Sequence, residues 1–410
     1  MTNNTFDVVI VGGGMVGLAC ALALAQANFR IAVVESSTQE QQEITAACPF
    51  DTKVVAITRA SENLFKNLGV WQKIEEARLC SYKNMKVWDS ALDGAIAFSA
   101  MDFFERNLGH IVEQSIILWA LQQALKEHIN VTLMTGAKLG TLEILAEHVE
   151  LNLVNGKQLK SLLIIGADGA NSLVRQLCGI EIAGWEYEQS AIVATVEGEY
   201  SHEQTAYQRF ASDGPLALLP LASSHHCSIV WTTSPEEAEV LCRETPERFA
   251  ERLTRESHFV MGKMRLVGTR LAFPLRTQHV KQYAVSRCAL IGDAAHTLHP
   301  LAGQGVNLGF LDVAALVNVV TEAKKKKRDI GTLNTLKRYE RQRKTHNQIM
   351  IWMMEFFKRG FCSQSNIIQR LRNVGLNWVD RHTSIKQLFA KMALGTLGPI
   401  PPMARMRREA

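Results

Sequence analysis

Long apolar runs separated by glycine-rich turns mark the first part of this chain. Residues 6–11 form a nearly continuous β-branched run, which is typical of a strand buried on both faces of a parallel sheet. Residues 18–27 are rich in Ala and Leu and predict a helix, and residues 31–34 predict a second buried strand. The pattern therefore predicts a strand–helix–strand unit near the amino end.

The hydropathy pattern carries two further features that affect the architecture. Residues 191–196 and 228–232 read as strands with one buried face, which predicts a second, β-rich part of the chain. Residues 8–25 hold no charged side chain and approach the length needed to cross a bilayer. Three consecutive glycines interrupt that stretch and no basic segment precedes it, so we expect a buried strand and helix there and no membrane span.

The turn after the first strand carries the glycine pattern of a dinucleotide site. Gly12 permits a tight turn, Gly14 lets the backbone approach a pyrophosphate, and Gly17 lets the helix pack close to the strand. Glu35 follows the second strand, where its carboxylate accepts hydrogen bonds from ribose hydroxyls and repels a 2′-phosphate. These residues predict a dinucleotide and leave NAD and FAD both open.

Two later segments repeat the pattern of a buried strand followed by a polar turn. Residues 162–169 end in Gly-Ala-Asp-Gly, and a helix is expected from about residue 174. Residues 288–293 end in Gly-Asp, and a glycine-rich loop then opens a helix from about residue 306. Open α/β sheets bind ligands at the carboxyl edge of their strands, so Asp293 is a candidate ligand-binding residue.

These three motifs, in this order and at about this spacing, resemble those of the flavoprotein aromatic hydroxylases, the group typified by para-hydroxybenzoate hydroxylase. The resemblance implies FAD as the cofactor and NAD(P)H as its reductant. It also implies that Asp293 holds the ribityl chain and that Asp168 assists with the pyrophosphate and the reductant. The loop from Pro300 to Asn307 would pass beside the isoalloxazine ring. Because the flavin carries the chemistry, we expect no catalytic acid or base, and no metal. The expected cofactor-binding residues are Gly12, Gly14, Gly17, Glu35, Lys53, Gln114, Asp168, Gly169, Gly292, Asp293, Pro300, Gly303, Gly305 and Asn307.

A closer resemblance is to the FAD-dependent hydroxylases of ubiquinone biosynthesis, and it extends from residue 6 to about residue 395. It rests on the run 299–309 with Asp312 behind it, and on segments 108–113, 219–221, 338–341 and 371–376. The resemblance implies that O2 hydroxylates the ring of a polyprenylated phenol through a flavin hydroperoxide. Segments 82–89, 227–231 and 234–238 look most like the member that acts on 2-octaprenylphenol. A paralogue acting at another ring position is the alternative.

Two positions depart from the pattern of that family. Lys53 stands where arginine is usual, which keeps the charge but loses the planar fork that grips phosphate at two points. Gln114 stands where these hydroxylases usually have asparagine, although glutamine is frequent in the wider group. These departures are the support for a second alternative, a non-catalytic FAD-binding scaffold of the biosynthetic complex. A flavin oxidase or dehydrogenase that never hydroxylates is a third, because fold does not fix function.

The resemblance implies an α/β architecture: a Rossmann-like FAD-binding domain, an inserted β-sheet substrate domain and a C-terminal helical tail. We expect a discontinuous FAD-binding domain at 1–80, 106–181 and 282–345, a substrate domain at 81–105 and 182–281, and a basic helical tail at 346–410.

Charge is distributed unevenly along the chain. Residues 324–410 hold twenty Lys and Arg against five Asp and Glu, a net charge of +15 that leaves −10 for residues 1–323. A solvated helical face and a surface for an anionic membrane or an acidic partner are both open interpretations.

Eight cysteines without a Cys-x-x-Cys pair suit a reducing cytoplasm. We therefore expect a cytoplasmic enzyme for a polyprenylphenol and O2, with peripheral contact at the inner face of the membrane and other ubiquinone-biosynthesis proteins as open partners. Nucleic acid is not expected, because no recognition module is present.

Overall fold

The computed structural model describes residues 4–38, 43–45, 48–89, 95–211, 213–298, 305–361, 394–395 and 398–406. Its helices are Met15–Gln26 (α1), Arg59–Asn67 (α2), Trp71–Ala77 (α3), Gln114–Lys126 (α4), Leu173–Leu177 (α5), Pro235–Arg243 (α6), Pro246–Glu256 (α7), Gly305–Lys325 (α8) and Leu333–Phe361 (α9).

Three sheets hold the strands together. The amino-terminal sheet contains Thr5–Val11 (β1), Ile31–Val34 (β2), Val131–Met134 (β8), Leu139–Ile144 (β9), Val149–Leu153 (β10), Gln158–Gly166 (β11), Ala284–Val285 (β17) and Cys288–Leu290 (β18). The second sheet contains Asn84–Asp89 (β5), Ala95–Ser99 (β6), Ile182–Gly198 (β12), Thr205–Phe210 (β13), Pro215–Pro220 (β14), His226–Thr233 (β15), Met264–Val280 (β16) and His296–Thr297 (β19). A small third sheet contains Val54–Ile57 (β3), Cys80–Tyr82 (β4) and Gly109–Glu113 (β7).

The amino-terminal sheet has the parallel centre that the apolar runs predict. β1 pairs in parallel with β2 on one side and β11 on the other, and β11 pairs in parallel with β18. Every residue from Val8 to Val11 is buried, and so are nine of the twelve residues of α1, which packs on this sheet. The apolar stretch 8–25 is therefore a core strand and a core helix, as predicted. Because β1, β11 and β18 run in one direction, the turns that follow them meet at one edge of the sheet.

The second sheet has one face buried against helices and one face turned toward a cavity. Ile192, Leu218, Ile229 and Trp231 pack in a core that includes residues of α6 and α7. The residues that alternate with them point to the opposite side, because successive side chains of a strand lie on opposite faces. The β-rich second part of the chain is thus confirmed as a sheet with two distinct faces.

Two long helices, α8 and α9, pack beside the amino-terminal sheet. α8 is the one helix of the described residues that is long and apolar enough to cross a membrane, and 78% of its apolar stretch is buried within the protein. α9 continues without interruption across position 346, where the sequence suggested the start of a tail. Its buried residues Met350 and Ile351 pack with Leu298 and Leu308, so this part of α9 belongs to the core around the site.

Candidate active site

The glycine turn after β1 divides its glycines between packing and open space. Gly12 has φ +108°, and a Cβ at this position would lie 2.2 Å from the carbonyl oxygen of Ala167. A Cβ at Gly17 would lie 2.0 Å from the carbonyl oxygen of Gly12. A Cβ at Gly14 would have no described heavy atom within 4 Å, and no described side chain caps the helix that starts there. The positive end of α1 is therefore open to an anionic group at Gly14.

Glu35 lies against this turn from the end of β2. Its Oε2 accepts a hydrogen bond from the Gly13 backbone N–H at 2.5 Å, and its Oε1 accepts one from the Ser37 N–H at 2.7 Å. The carboxylate is thus fixed in orientation by the backbone. Each carboxylate oxygen has more than one acceptor site, so the ribose contact expected from the sequence is compatible with these bonds.

A cavity of about 620 Å³ lies between the amino-terminal sheet and the second sheet. We call its two sides the glycine wall and the sheet wall. The glycine wall consists of Gly14, Met15, Val16, Ala167, Gly169, Ile291, Asp293, Gly305 and Val306. The sheet wall consists of Met85, Val193, Ala206, Gln208, Pro215, Ala217, Leu219, Ser228, Val230, Thr232 and Phe273. Lys53 and Gln114 also line the cavity.

The cavity gathers half of the expected cofactor-binding residues that the structure describes. Those that line it are Gly14, Lys53, Gln114, Gly169, Asp293 and Gly305. Those that do not line it are Gly12, Gly17, Glu35, Asp168, Gly292 and Asn307. Pro300 and Gly303 lie outside the described residues, as does His299. The glycine wall presents glycine backbone, one carboxylate and a few apolar side chains, and it fits a dinucleotide cofactor.

Lys53 and Gln114 are neighbours although they lie far apart in the sequence. The Gln114 backbone N–H donates to the carbonyl oxygen of Lys53 at 3.0 Å. Asp51 accepts hydrogen bonds from the N–H groups of Lys53 (3.0 Å) and Ser115 (3.1 Å), so it caps α4 and shapes the loop before β3. Sequence reasoning assigned no role to Asp51, because the residues that it joins are distant in the chain.

A buried ion pair holds this loop in place. The two nitrogens Nε and Nη2 of Arg78 each donate to Glu113 at 2.8 Å, and Glu113 also accepts from the Asp51 backbone N–H at 2.7 Å. The side chains of Arg78 and Glu113 are 9% and 4% exposed. A bidentate Arg–carboxylate pair fixes geometry in two directions, so it sets the position of residues 51–53 relative to α4.

Asp293 presents its carboxylate to the cavity from the turn after β18. The side chain is open to the cavity, and the surrounding protein displaces part of the bulk water around its carboxyl group. The resulting loss of bulk water raises the pKa of the Asp293 carboxyl above its usual range, and the charges of His296 and Arg276 oppose this shift. A carboxylate held in this way gains from a hydroxyl donor that enters the cavity.

Asp168 uses its carboxylate within the protein. The backbone N–H groups of Leu173 (2.8 Å) and Val174 (3.1 Å) donate to Oδ2, and the Ser172 hydroxyl donates to Oδ1 at 2.5 Å. Asp168 therefore caps α5 and shapes the turn whose Gly169 lines the cavity. In the described residues its role is that of a turn-forming residue behind the glycine wall.

Buried Arg175 joins the two polar turns of the glycine wall. Its Nη2 donates to the carbonyl oxygen of Ala170 at 3.0 Å, and its Nη1 donates to the carbonyl oxygen of Ala294 at 3.1 Å. The Gly-Ala-Asp-Gly turn and the Gly-Asp turn are thus fixed to each other. This explains how two motifs far apart in the sequence form one surface.

Asn307 connects the start of α8 to the loop after β3. Its Oδ1 accepts hydrogen bonds from the Thr58 N–H (3.1 Å) and the Ser61 hydroxyl (2.7 Å), and its Nδ2 donates to the Ala56 carbonyl (2.7 Å). The residue is 2% exposed. Asn307 therefore positions the amino end of α8, whose Gly305 lines the cavity, rather than pointing into the cavity itself.

A buried network behind the Gly-Asp turn is the largest feature that sequence reasoning missed. Asp312 on α8 bonds to His296 Nε2 at 2.5 Å and accepts from Arg343 Nε at 2.8 Å and from Asn347 Nδ2 at 3.1 Å. It also accepts from the Gly292 N–H at 3.2 Å. Burial alone would raise the pKa of the Asp312 carboxyl, but His296 and Arg343 outweigh it and hold that pKa at about 2. This network ties β19, α8 and α9 to the turn that carries Asp293.

The sheet wall is mostly apolar, with a few hydroxyl groups. Register aligns its residues in rows across the strands: Leu219 pairs with Ser228 and Ala217 pairs with Val230. Tyr82 also lines the cavity, and burial raises the pKa of its hydroxyl to about 12, so it stays protonated at neutral pH. Several residues of this wall, among them Val193 and Ser228, lie in strands or segments singled out from the sequence, but none of them was assigned to the site. The strand predicted at 228–232 carries the signal that points to this face, because Ser228 and Val230 alternate with the core residue Ile229.

Comparison with known proteins gives the same assignment at the level of family. The profile of the FAD binding domain family matches residues 5–352. The 3-demethoxyubiquinol 3-hydroxylase of Escherichia coli (strain K12) is 37% identical over 395 residues, covering 96% of this chain and 100% of that protein. The mitochondrial ubiquinone biosynthesis monooxygenase COQ6 of Danio rerio is 33% identical, covering 95% of this chain and 90% of that protein. The crystal structure of p-nitrophenol 4-monooxygenase PnpA from Pseudomonas putida DLL-E4 superimposes with a TM-score of 0.79 at 18% identity, covering 96% of this chain and 100% of that chain, which shows a shared fold.

Proposed function

This chain belongs to the FAD binding domain family and, within it, to the FAD-dependent hydroxylases of ubiquinone biosynthesis, and from that premise we propose that it hydroxylates the ring of a polyprenylated phenol of the 2-octaprenylphenol type. The observation that carries the proposal is the two-sided cavity. A wall of glycine backbone, one carboxylate and a few apolar side chains suits a dinucleotide, and the facing, mostly apolar wall suits an aromatic ring with a hydrocarbon chain.

We assign the glycine wall to FAD. Gly14 and the open end of α1 would receive the pyrophosphate, Glu35 the ribose and Asp293 the hydroxyls of the ribityl chain. Lys53, Gln114, Gly169 and Gly305 would flank the cofactor from the cavity lining. Bound FAD supplies the redox and oxygen-transfer chemistry, and NAD(P)H is the proposed reductant. On this assignment the amino-terminal sheet is the FAD-binding domain and the second sheet is the substrate domain.

The protein's own contribution is position and exclusion of water. The sheet wall holds the ring against the glycine wall, and its apolar side chains keep water from the reacting carbon. The protonated Tyr82 hydroxyl and the amide of Gln114 are hydrogen-bond donors at the edge of this space.

The deciding experiment uses purified, FAD-loaded protein, NADH or NADPH, and a 2-prenylphenol under 18O2. We expect reductant consumption that depends on the phenol and one 18O atom in the ring of the product. Reductant consumption without label would indicate an oxidase. No substrate-dependent consumption would favour a non-catalytic scaffold, which is the alternative that Lys53 and Gln114 suggested.

A second candidate is hydroxylation at a later ring position, on a substrate such as 3-demethoxyubiquinol. The 37% identity with the E. coli enzyme that bears this name favours it. A competition between a short-chain 2-prenylphenol and the matching demethoxyubiquinol separates the two proposals, because the preferred ring gives the higher kcat/KM.

We further propose that the enzyme works in the cytoplasm with peripheral contact at a membrane, where its hydrocarbon-chained substrate would reside. The basic residues 324–410 supply the charge for an anionic surface. Sedimentation with vesicles of anionic lipid at low salt, and release at high salt, is the expected result. Equal sedimentation with neutral vesicles would contradict an electrostatic contact.

A further inference from the structure

Two hydroxyl groups of the second sheet are buried without a hydrogen-bond partner. Ser228 on β15 belongs to the sheet wall, and its cross-strand neighbour on β12 is Thr195. These residues are 1% and 2% exposed, and within the described residues neither hydroxyl oxygen is hydrogen-bonded. Buried hydroxyls in native proteins are nearly always paired, so a pair of unpaired ones at a cavity indicates a ligand.

The surroundings of this pair are apolar. Leu219 lies beside Ser228 across β14, and the next residues on the same face of β15 and β12 are Val230 and Val193. A substrate ring packed on these side chains would find its polar contact on this part of the wall at Ser228. Ser228 lines the cavity on the side of the second sheet, and Thr195, which is paired directly opposite it on β12, lies on the same face of that sheet.

We propose that on ligand binding the two hydroxyls turn toward the ligand, so that Ser228 donates a hydrogen bond to an oxygen on the substrate ring and Thr195 donates to Ser228, a bond that the ligand-free protein lacks. Ser228 is then a substrate-binding residue and Thr195 a positioning residue. A hydrogen bond to one ring oxygen fixes the rotation of the ring on the wall. The pair thus determines which ring carbon is presented for hydroxylation, a choice that the apolar side chains alone leave free. This inference rests on the proposed function.

The test compares two ligands on the FAD-loaded full chain. One is a short-chain 2-prenylphenol, and the other is the matching prenylbenzene, which lacks the ring oxygen. Dissociation constants are read from the change in protein fluorescence. A single buried hydrogen bond corresponds to a preference of about five- to tenfold for the phenol in the unaltered protein. We expect Ser228→Ala to reduce this ratio to about one, and Thr195→Val to reduce it about halfway on a logarithmic scale. Thr195→Ser keeps the hydroxyl and should restore the ratio.

The matched control is Thr233→Val. Thr233 is also a buried hydroxyl residue of β15, but alternation places it on the face opposite to Ser228. The Thr233→Val protein should bind both ligands with the same affinities as the unaltered protein. A second measurement is thermal unfolding without substrate. Ser228→Ala and Thr195→Val should unfold at the same or a higher temperature, because each removes an unpaired buried hydroxyl.

Three outcomes would overturn the inference while leaving the proposed function intact. The phenol preference could persist in both variants. The variants could unfold at lower temperature, which would show that the two hydroxyls bond within the protein. They could release FAD more readily, which would assign the hydroxyls to the cofactor. If the unaltered protein binds neither ligand, the inference and the proposed function fall together.

Discussion

The glycine wall and the sheet wall of the cavity differ in the groups that they present to a ligand. The glycine wall offers glycine backbone, one carboxylate, a few apolar side chains and the end of a helix, and its shape depends in part on glycines. The sheet wall offers side chains, selected by the alternation of its strands. Backbone contacts suit a ligand that does not vary, whereas side-chain contacts are easily varied to suit different rings. Substitutions on the first wall should therefore affect cofactor binding, and those on the second should affect substrate.

The sharpest contrast lies within the glycine wall, between Gly12 and Gly14. Gly12→Ala should destabilise the fold by about 2–5 kcal/mol, because its backbone has a positive φ and a Cβ would collide with Ala167. Gly14→Ala should leave the free energy of unfolding within about 1 kcal/mol, because its Cβ would point into open space. It should nevertheless weaken FAD binding about tenfold or more, since the methyl group occupies the cofactor's space. Thermal unfolding and FAD titration measure both effects. Unchanged FAD affinity in Gly14→Ala would place the pyrophosphate elsewhere.

The network behind the glycine wall should matter for stability more than for binding. Asp312→Asn leaves Arg343 buried without its ionic partner and should cost about 3–5 kcal/mol. The control is Glu322→Gln, which breaks an exposed pair with Arg338 and should cost less than about 1 kcal/mol. Urea unfolding at neutral pH measures both, and equal costs would contradict a structural role for Asp312.

Asp312→Asn also tests how the free energy of unfolding depends on pH. The pKa of Asp312 in the folded protein is about 2, and that of an unfolded Asp is about 3.9. The stability that its ionised form contributes is therefore fully present above about pH 4 and is lost as the pH falls toward 2. The difference in unfolding free energy between the unaltered protein and Asp312→Asn should narrow across this window. A constant difference would show that the charge of Asp312 is not the cause.

Asp293 contrasts with the buried Asp312, because its carboxylate faces the cavity. Its pKa is raised, so its ionised form destabilises the FAD-free protein above the unfolded pKa, and that protein loses stability as pH rises through the folded pKa. Asp293→Asn should make the FAD-free protein more stable at neutral pH. The same change should weaken FAD binding about five- to tenfold, because a charge-assisted hydrogen bond becomes a neutral one. Lower stability together with unchanged FAD affinity would refute the assignment of Asp293 to the ribityl chain.

Substitutions on the sheet wall should affect the substrate and leave FAD binding unchanged. Ala217→Phe places a large side chain in the cavity and should lower kcat/KM for a prenylphenol about tenfold or more while FAD remains bound. Its control is Leu218→Met on the opposite face of β14, which conserves volume in the helix-covered core. Loss of FAD from Ala217→Phe would show that the two walls are not separate in function.

The smallest effect is expected at Lys53. Lys53→Arg restores the planar fork that is usual in the family and should raise FAD affinity about two- to fivefold. Lys53→Gln, which removes the charge, should lower it. If all three proteins bind FAD equally, Lys53 lines the cavity without contacting the cofactor.

The sequence by itself determined the elements whose cause is local. The strand before Gly12, the glycine turn and the strand before Glu35 appear where expected, and the Ala- and Leu-rich helix begins three residues earlier, at Met15, because a continuous apolar strand and a glycine turn permit few other structures. α8 begins at Gly305, one residue before the position expected from the glycine-rich loop. The resemblance of the three motifs to those of the flavoprotein aromatic hydroxylases also implied the wider family and its FAD cofactor.

Only the tertiary structure decided which residues of those motifs face the cavity and which bond within the protein. Asp168 and Asn307 read as cofactor ligands in the sequence, but their polar atoms bond to α5 and to the loop after β3. Asp51, Arg78 and Asp312 had no visible role, because they act on partners that belong to other elements, distant in the chain. The sheet wall likewise depends on cross-strand register, which pairing over long separations sets. Local patterns reveal which backbone conformations are possible; packing decides which side chains meet, and therefore which of them can bind.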